Sequence, residues 1–211
     1  MPNWVDNALN FEGSKEDISK IKEQLSRPRK TYWAGVEEEV SGEPISYWNM
    51  VSPPEEKFDL YFGGGSLASE DKTWGWYNWN ISNWGCKWDA SEAMITAESE
   101  NQIVYHFQSP WSPPIEAISK LSEQYPETKM SLYWIEEQGF GAEQDFNAGE
   151  ITTLKSWDIP NTHQENMDIK DYCWRCEDSD DDLYDDCPNA KEAEPDFSCG
   201  CGNPDCVKVD N

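Results

Sequence analysis

The sequence predicts an α+β fold, and two observations carry this prediction. Apolar residues recur at helical spacing in two segments, and they alternate with polar residues in four others. Along the chain these segments run strand, helix, strand, strand, helix, strand. That order is typical of two interleaved βαβ units whose helices cover one face of a single sheet.

The first strand and the first helix are predicted near the N-terminus. Residues 4–11 alternate between apolar and polar side chains, which is typical of a half-buried strand. Ser14 is predicted to cap the helix that follows, with Asp17 at the third helical position, as in a capping box. Pro28 lies beyond the last apolar position of the helix, so the helix should end before it.

The remaining elements follow after a long intervening segment. Two strands are predicted at residues 93–98 and 102–108, joined by a short turn. The prolines of Ser-Pro-Pro at 112–114 begin the second helix, and a strand at 129–136 follows it. Glycines then punctuate a closing hairpin at about 140–153. Together these elements predict a ferredoxin-like βαββαβ sandwich.

Composition divides the chain near Ile159. Residues 1–158 contain the periodic segments and are predicted to form the ferredoxin-like domain. Within this domain, residues 29–92 are expected to be mostly irregular and include a long tryptophan-rich insertion. Residues 159–211 hold six of the seven cysteines, with 15 acidic and 4 basic residues. They are predicted to form an acidic, cysteine-rich C-terminal appendage.

The net charge limits the classes of partner. The 211 residues include 42 acidic and 16 basic side chains, which gives a net charge of −26. Such a field repels nucleic acid and anionic membranes, and it favours a basic protein, metal ions or imitation of a phosphate backbone. The alternative is that the acidity serves only solubility. We therefore expect neither direct nucleic-acid binding nor membrane binding.

The location of the protein is predicted from two further properties of the sequence. No apolar run reaches the roughly 18 residues that a membrane span requires. The N-terminus lacks the basic start and the apolar region of a signal peptide. We therefore expect the protein in the cytoplasm, where cysteines remain thiols or bind metal.

The segment Trp74–Trp88 is the first candidate site, because it holds five tryptophans in fifteen residues. One interpretation is a surface on which a base, a sugar or a protein side chain stacks; the other is that the indoles pack into the core. We expect Trp84 and Trp88 to behave as core residues. The candidate binding residues are Trp79, Asn83, Trp84, Lys87, Trp88 and Trp111.

The cysteines of the appendage are the second candidate site. Cys173 and Cys176 have the C-x2-C spacing that places two thiolates on one turn, as a tetrahedral zinc ion requires. A second pair among Cys199, Cys201 and Cys206 would complete one structural zinc site. Disulfides, or free thiols in an acidic tail, are the alternatives to metal.

The sequence gives little support for catalysis. It contains two histidines, His106 and His163, and His106 lies in the middle of a predicted strand. Glu136 and Glu137 are adjacent, so strand alternation points their carboxylates to opposite faces. No nucleophile elbow, P-loop, dinucleotide fingerprint or zinc-protease motif occurs. We therefore expect a protein that is not an enzyme.

Five short segments are distinctive: M-P-N-W at 1–4, W-N-M-V-S-P-P-E-E at 48–56, N-W-G-C-K-W-D-A at 83–90, S-P-W-S-P-P at 109–114 and E-E-Q-G-F-G at 136–141. In the same order, they resemble the YubB-like ferredoxin-fold family, a domain of unknown function from bacteriophages and conjugative plasmids. Cys86 departs from the threonine that is more frequent in the family, and the appendage has no counterpart there. The resemblance implies an accessory protein of a mobile element, a class that often counters host immunity.

These observations together predict a non-catalytic phage or mobile-element protein that binds and inhibits a host defence protein. Its acidic surface would imitate nucleic acid and occupy the basic cleft of a nuclease or of a restriction or CRISPR complex. The alternative is a module that binds or sequesters a small ligand or nucleotide through the Trp74–Trp88 segment.

Overall fold

The computed structural model describes residues 2–33, 36–63, 75–160, 165 and 168. The described elements lie in chain order as follows: β1 (Trp4–Glu12), α1 (Lys15–Leu25), β2 (Arg29–Trp33), β3 (Val36–Val40), α2 (Tyr47–Met50), a 3₁₀ turn (Glu55–Lys57), α3 (Phe58–Gly63), α4 (Trp76–Trp84), β4 (Ser91–Glu98), β5 (Gln102–Pro110), α5 (Ile115–Gln124), β6 (Lys129–Glu136), β7 (Gly141–Asn147) and β8 (Glu150–Trp157). The predicted strands and helices on either side of residues 29–90 are all present.

The main sheet has the strand order β4-β5-β1-β6-β7-β8. β1 lies between β5 and β6 and pairs antiparallel with both, while β4 pairs antiparallel with β5 and β7 with β6. Taken with α1 and α5, the strands β1, β4, β5 and β6 form the βαββαβ unit. This arrangement confirms the predicted ferredoxin-like fold.

Alternation along the strands places one face of the sheet against the helices. In β1, Val5, Asn7, Leu9 and Phe11 are buried, and the residues that alternate with them are partly or fully exposed. Ile21 of α1 and Leu121 of α5 are buried in the same hydrophobic core. The side chain of Ser14 accepts a hydrogen bond from the Asp17 N–H at 3.1 Å, which confirms the predicted N-cap of α1.

The hairpin of β7 and β8 extends the sheet beyond the βαββαβ unit. Its two-residue turn, Ala148-Gly149, has positive φ angles at both positions, as a type I′ turn requires. Serine side chains of α5 fasten this turn, because Ser119 Oγ donates to the Gly149 carbonyl and Ser122 Oγ accepts from the Gly149 N–H. The predicted closing hairpin is therefore confirmed.

The segment between α1 and β4 is more regular than expected. Residues 29–92 were expected to be mostly irregular, yet the described part contains a strand pair, the 3₁₀ turn and three helices. These elements are short, and residues such as Asn80 and Asn83 within α4 have low helix propensity. Contacts with the rest of the domain stabilise them, and local sequence patterns do not reveal such contacts.

The chain divides into two compact units. One consists of Met1–Glu137 with Gly141–Ser156, and the other of Gln138–Phe140 with Trp157–Asn211. Within the second unit, Trp157 Nε1 donates to the Gly139 carbonyl at 3.0 Å. Most of the predicted appendage lies outside the described residues, so its organisation stays a prediction. No helix in the described ranges is long and apolar enough to cross a membrane.

Candidate functional site

The loop between α4 and β4 is held at both ends by partly buried hydrogen bonds. Gly85 ends α4 with a φ of +87°, a conformation that glycine adopts readily. Asn80 is almost fully buried and donates from Nδ2 to the Lys87 carbonyl at 2.8 Å, while its Oδ1 accepts from the Tyr61 hydroxyl at 2.8 Å. Asn80, itself held by Tyr61, thus fixes the backbone of Lys87.

Asp89 anchors the other end of this loop. Its carboxylate accepts hydrogen bonds from the Tyr47 N–H and the Ser46 hydroxyl, both at 2.6 Å, and thereby caps α2. Arg29 Nε lies 3.2 Å from Asp89 Oδ2, within ion-pairing distance. The loop that carries Lys87 and Trp88 is therefore attached to both β2 and α2.

Two of the candidate binding residues are buried. Trp79 is 5% exposed and Trp84 is 3% exposed. The Trp84 ring packs edge-on against the rings of Tyr47 and Trp79, and its Nε1 donates to the Val51 carbonyl at 2.8 Å. Trp84 is a core residue, as expected. The burial of Trp79 and Trp84 corrects the expectation that they belong to a ligand-binding surface.

Asn83 joins two helices. Its Nδ2 donates to the Trp79 carbonyl at 2.9 Å within α4, and its Oδ1 accepts from Lys120 Nζ of α5 at 2.6 Å. The amide therefore already has partners on both sides. The structure gives this candidate binding residue a role in the packing of α4 against α5.

Trp88 and Trp111 lie at the surface. Trp88 is 41% exposed, which corrects the expectation that it is a core residue, and Trp111 is 45% exposed. Their ring centroids are 5.3 Å apart with an interplanar angle of 38°. Tyr77 of α4 is 48% exposed. We call Trp76, Tyr77, Trp88 and Trp111 the aromatic patch.

Lys87 lies at the centre of the aromatic patch. Its Nζ is 4.7 Å from the ring centroid of Trp88 and 4.8 Å from that of Trp111. The centroids of Tyr77 and Trp76 are 5.5 and 6.0 Å away. All four distances are within the range of cation–π interaction. The structure thus brings together three of the predicted site residues, Lys87, Trp88 and Trp111.

The backbone of Trp111 is strained. Its φ of +65° lies in the left-handed region, which bulky residues rarely occupy. The Trp111 N–H donates to the Asn3 carbonyl at 2.8 Å. The next residue is also held, because Ser112 Oγ donates to the Gly85 carbonyl at 2.6 Å. These contacts hold Trp111 in the conformation that places its ring against Trp88 and Lys87.

An acidic side chain lies at the N-terminus of the helix that follows Trp111. α5 has Pro114 at its N-cap and Glu116 in its first turn. A carboxylate in the first turn already interacts with the positive end of the helix dipole. The N-terminus of α5 is thus poorly suited to an external anion.

A buried cysteine and an adjacent pair of glutamates are held in structural contacts. Cys86 is fully buried, and burial raises the pKa of its thiol well above the usual value, with further contributions from the Asp89 and Glu116 carboxylates. Glu136 accepts from Asn3 Nδ2 at 2.6 Å, and Glu137 accepts from the Trp4 N–H at 3.0 Å. These contacts tie the end of β6 to the start of the chain.

The predicted zinc ligands lie outside the part of the chain that the structure describes; they are Cys173, Cys176, Cys199, Cys201 and Cys206. Among the described residues, no group of three or more His, Cys, Asp or Glu side chains could hold a metal ion. One structural zinc in the appendage therefore stays a prediction. Elemental analysis of protein purified without chelator tests it, and less than about half an equivalent of zinc would contradict it.

A match to a family model supports the ferredoxin-like fold. Residues 83–176 match a family model described as the ferredoxin-like domain in Api92-like protein. No curated protein matches the chain. A crystal structure of the protein Api92 from Yersinia pseudotuberculosis is similar with a TM-score of 0.46 and 10% identity, covering 76% of this chain and 99% of that chain.

The region that matches the family model contains most of the candidate site. It begins at Asn83, in the last turn of α4, and includes Lys87, Trp88, Trp111 and the strands β4 to β8. The more specific resemblance to the YubB-like family stays a prediction. Residues 83–176 are thus similar to the ferredoxin-like domain of Api92-like proteins, a likeness of fold that leaves the activity open.

Proposed function

We propose that this protein is a non-catalytic binding protein that blocks a basic host protein by imitating nucleic acid with its acidic surface. The observation that carries the proposal is the excess of carboxylates. Residues 1–158 alone contain 27 acidic and 12 basic side chains. Carboxylates distributed over a compact domain present the same sign of charge as a phosphate backbone, and they speed association with a basic cleft.

Ion pairs leave much of this negative charge uncompensated. Six ion pairs among the described residues use the cations Lys15, Lys20, Lys22, Arg27, Arg29 and Lys129. Exposed carboxylates outside these pairs include Glu43, Glu55, Glu56, Asp59, Glu92 and Glu127. Since they project into solvent, they are available to the cations of a partner.

The resemblance to the YubB-like family supports the biological setting of the proposal. Accessory proteins of phages and plasmids often act against host defence, and nucleases and restriction complexes carry basic clefts for nucleic acid. Inhibition by occupying such a cleft requires no catalytic group. The target is therefore proposed to be a nucleic-acid-binding defence protein in the host cytoplasm.

Salt dependence tests the proposal. Immobilised protein should capture a nucleic-acid-handling protein from host lysate at low salt, and duplex DNA should elute it. With the purified target, we expect the affinity to fall at least about tenfold between about 50 and about 500 mM salt, because ion pairing between the two surfaces is screened. An affinity that is unchanged over this range would contradict the proposal.

Charge reversal at one surface site provides a graded control. Glu55, Glu56 and Asp59 are exposed within five residues of each other. The triple change to Gln, Gln and Asn removes three charges, and the triple change to Lys shifts the net charge by six. If binding depends on the net charge of this surface, the logarithm of the affinity should fall about twice as far in the lysine variant as in the neutral variant.

The exposed aromatic patch favours a second candidate function, the binding of a small ligand or nucleotide. Exposed aromatic clusters commonly mark binding sites. The centroid distance of 5.3 Å between Trp88 and Trp111 leaves no room for a planar ring between them. Such a ligand would therefore stack on the outer face of one indole and pair its negative charge with Lys87.

A further inference from the structure

We propose that the aromatic patch is a cation-binding cage, which takes a lysine or arginine side chain of a protein partner when the side chain of Lys87 moves out. This inference rests on the proposed function to the extent that the partner is basic. It adds a specific anchoring site to the general attraction of the acidic surface.

The first argument is the convergence of four rings on one cation. Aromatic faces are electron-rich, and a cation within about 6 Å of a ring centroid is attracted to them. Lys87 Nζ satisfies this condition for Trp76, Tyr77, Trp88 and Trp111 together. Lys87 takes part in none of the ion pairs found among the described residues. The ring faces are therefore the partner of its ammonium group.

The second argument is that the side chain can leave without disturbing the loop. The Lys87 carbonyl is held by Asn80, and the Trp88 carbonyl accepts a weak hydrogen bond from the Cys86 thiol at 3.4 Å. The backbone is thus fixed independently of the ammonium group. Exposed cation–π contacts are weak, and an ammonium group that leaves them regains its water. Displacement of Lys87 by another cation therefore costs little.

The third argument is the conformation of Trp111. A bulky residue with a positive φ costs free energy, and such strain persists only where the surroundings enforce it. Here the strained backbone places the Trp111 ring 4.8 Å from Lys87 Nζ. A ring that served only to cover apolar surface would not require this geometry at a position that is 45% exposed.

Charge decides between a cationic and an anionic occupant. The chain has a net charge of −26, so an anion approaching the patch meets long-range repulsion, whereas a cationic segment is attracted. Tryptophan, tyrosine and arginine are also the side chains enriched at the anchor points of protein interfaces, and arginine is the cation found most often over aromatic faces. The geometry and the charge both favour a basic protein segment.

Choline tests the cage, because its quaternary ammonium group binds aromatic faces without hydrogen bonds. Isothermal titration would compare the full wild-type chain with the variant Lys87→Ala. We expect the variant to bind choline at least about tenfold more tightly, because the internal cation no longer occupies the rings. Lys129→Ala is the matched control, because it removes the same charge at an exposed lysine that contacts none of these rings.

A neutral ligand of the same shape separates cation binding from apolar binding. The ligand 3,3-dimethylbutan-1-ol replaces the charged nitrogen of choline with carbon, and its affinity should not rise in Lys87→Ala. Adding Trp111→Gly to Lys87→Ala should return choline binding to the wild-type level. Glycine accepts a positive φ, so the folded state should tolerate this change, and a thermal melt would verify that it does.

Four outcomes would overturn the proposal. The first is an unchanged choline affinity in Lys87→Ala, and the second is an equal gain in affinity for the neutral ligand. The third is an equal gain in choline affinity in Lys129→Ala, and the fourth is tighter binding of adenosine monophosphate than of choline to the wild-type chain. The last outcome would favour the nucleotide-binding alternative. None of them affects the salt-dependent capture of a basic host protein, so failure of the cage is distinguishable from failure of the proposed function.

Discussion

Replacement of Trp84 by alanine should lower the free energy of unfolding by about 3–5 kcal/mol, the range for deleting a large buried ring. Trp84 is 3% exposed and packs against Tyr47 and Trp79. Its truncation would leave a cavity beneath α4 and remove the donor that pairs with the Val51 carbonyl. Urea unfolding followed by far-ultraviolet circular dichroism measures the change without relying on tryptophan fluorescence.

Two further variants test the assignment of Trp84 to the core. Trp84→Phe keeps most of the apolar contact but loses the hydrogen bond to Val51, so we expect an intermediate loss of about 1–3 kcal/mol. Trp88→Ala removes the same side chain at a position that is 41% exposed. It should cost less than about 1 kcal/mol, because surface substitutions leave no cavity. Equal losses for Trp84→Ala and Trp88→Ala would contradict the assignment of Trp84 to the core.

The difference between Trp84 and Trp88 shows what the sequence could not reveal. The two residues are four positions apart, so in a continuous helix they would lie on the same face. Gly85 has a φ of +87° and ends α4 between them, which redirects the chain. Glycine within a tryptophan-rich segment is compatible with either a helix end or a loop. Only the tertiary structure therefore distinguishes the buried ring from the exposed one.

The elements predicted correctly are those whose pattern is local. In β1 the burial of Val5, Leu9 and Phe11 follows directly from alternation, and the capping of α1 by Ser14 follows from two residues three positions apart. In contrast, α2 has four residues, fewer than any periodic pattern needs. Its N-terminus is capped by Asp89, which is 42 positions away from Tyr47 in the sequence. Such a contact has no signal within a short window.

The candidate site could be predicted from the sequence only in part. Lys87, Trp88 and Trp111 were among the candidate binding residues, because tryptophans beside a cation commonly form binding surfaces, although Trp88 was also expected to be buried. Tyr77 was missed, although its spacing of four residues from the exposed Ile81 would have placed both on one face once α4 was recognised. The positive φ of Trp111 had no sequence signal, since glycine or asparagine is the usual residue in that conformation.

Replacement of Asp89 by alanine should also destabilise the domain strongly, by about 3–5 kcal/mol, because a partly buried cation loses its partner. Asp89 and Arg29 are only 15% and 19% exposed at their side chains. The same change removes the acceptor for the Tyr47 N–H and the Ser46 hydroxyl. Urea unfolding of the wild-type chain and the variant would give the loss directly.

An exposed ion pair supplies the control for this prediction. Glu98→Ala breaks the ion pair between Glu98 and Lys22, whose side chains are 45% and 42% exposed, respectively. The free energy of unfolding should fall by less than about 1 kcal/mol. Asp89→Asn keeps the volume and one acceptor oxygen, so its loss should fall between those of Glu98→Ala and Asp89→Ala. If Asp89→Ala cost no more than Glu98→Ala, the loop that presents Lys87 and Trp88 would not depend on this anchor. A loss of the predicted size would indicate that the contacts of Asp89 with β2 and α2 hold the loop that carries Lys87 and Trp88.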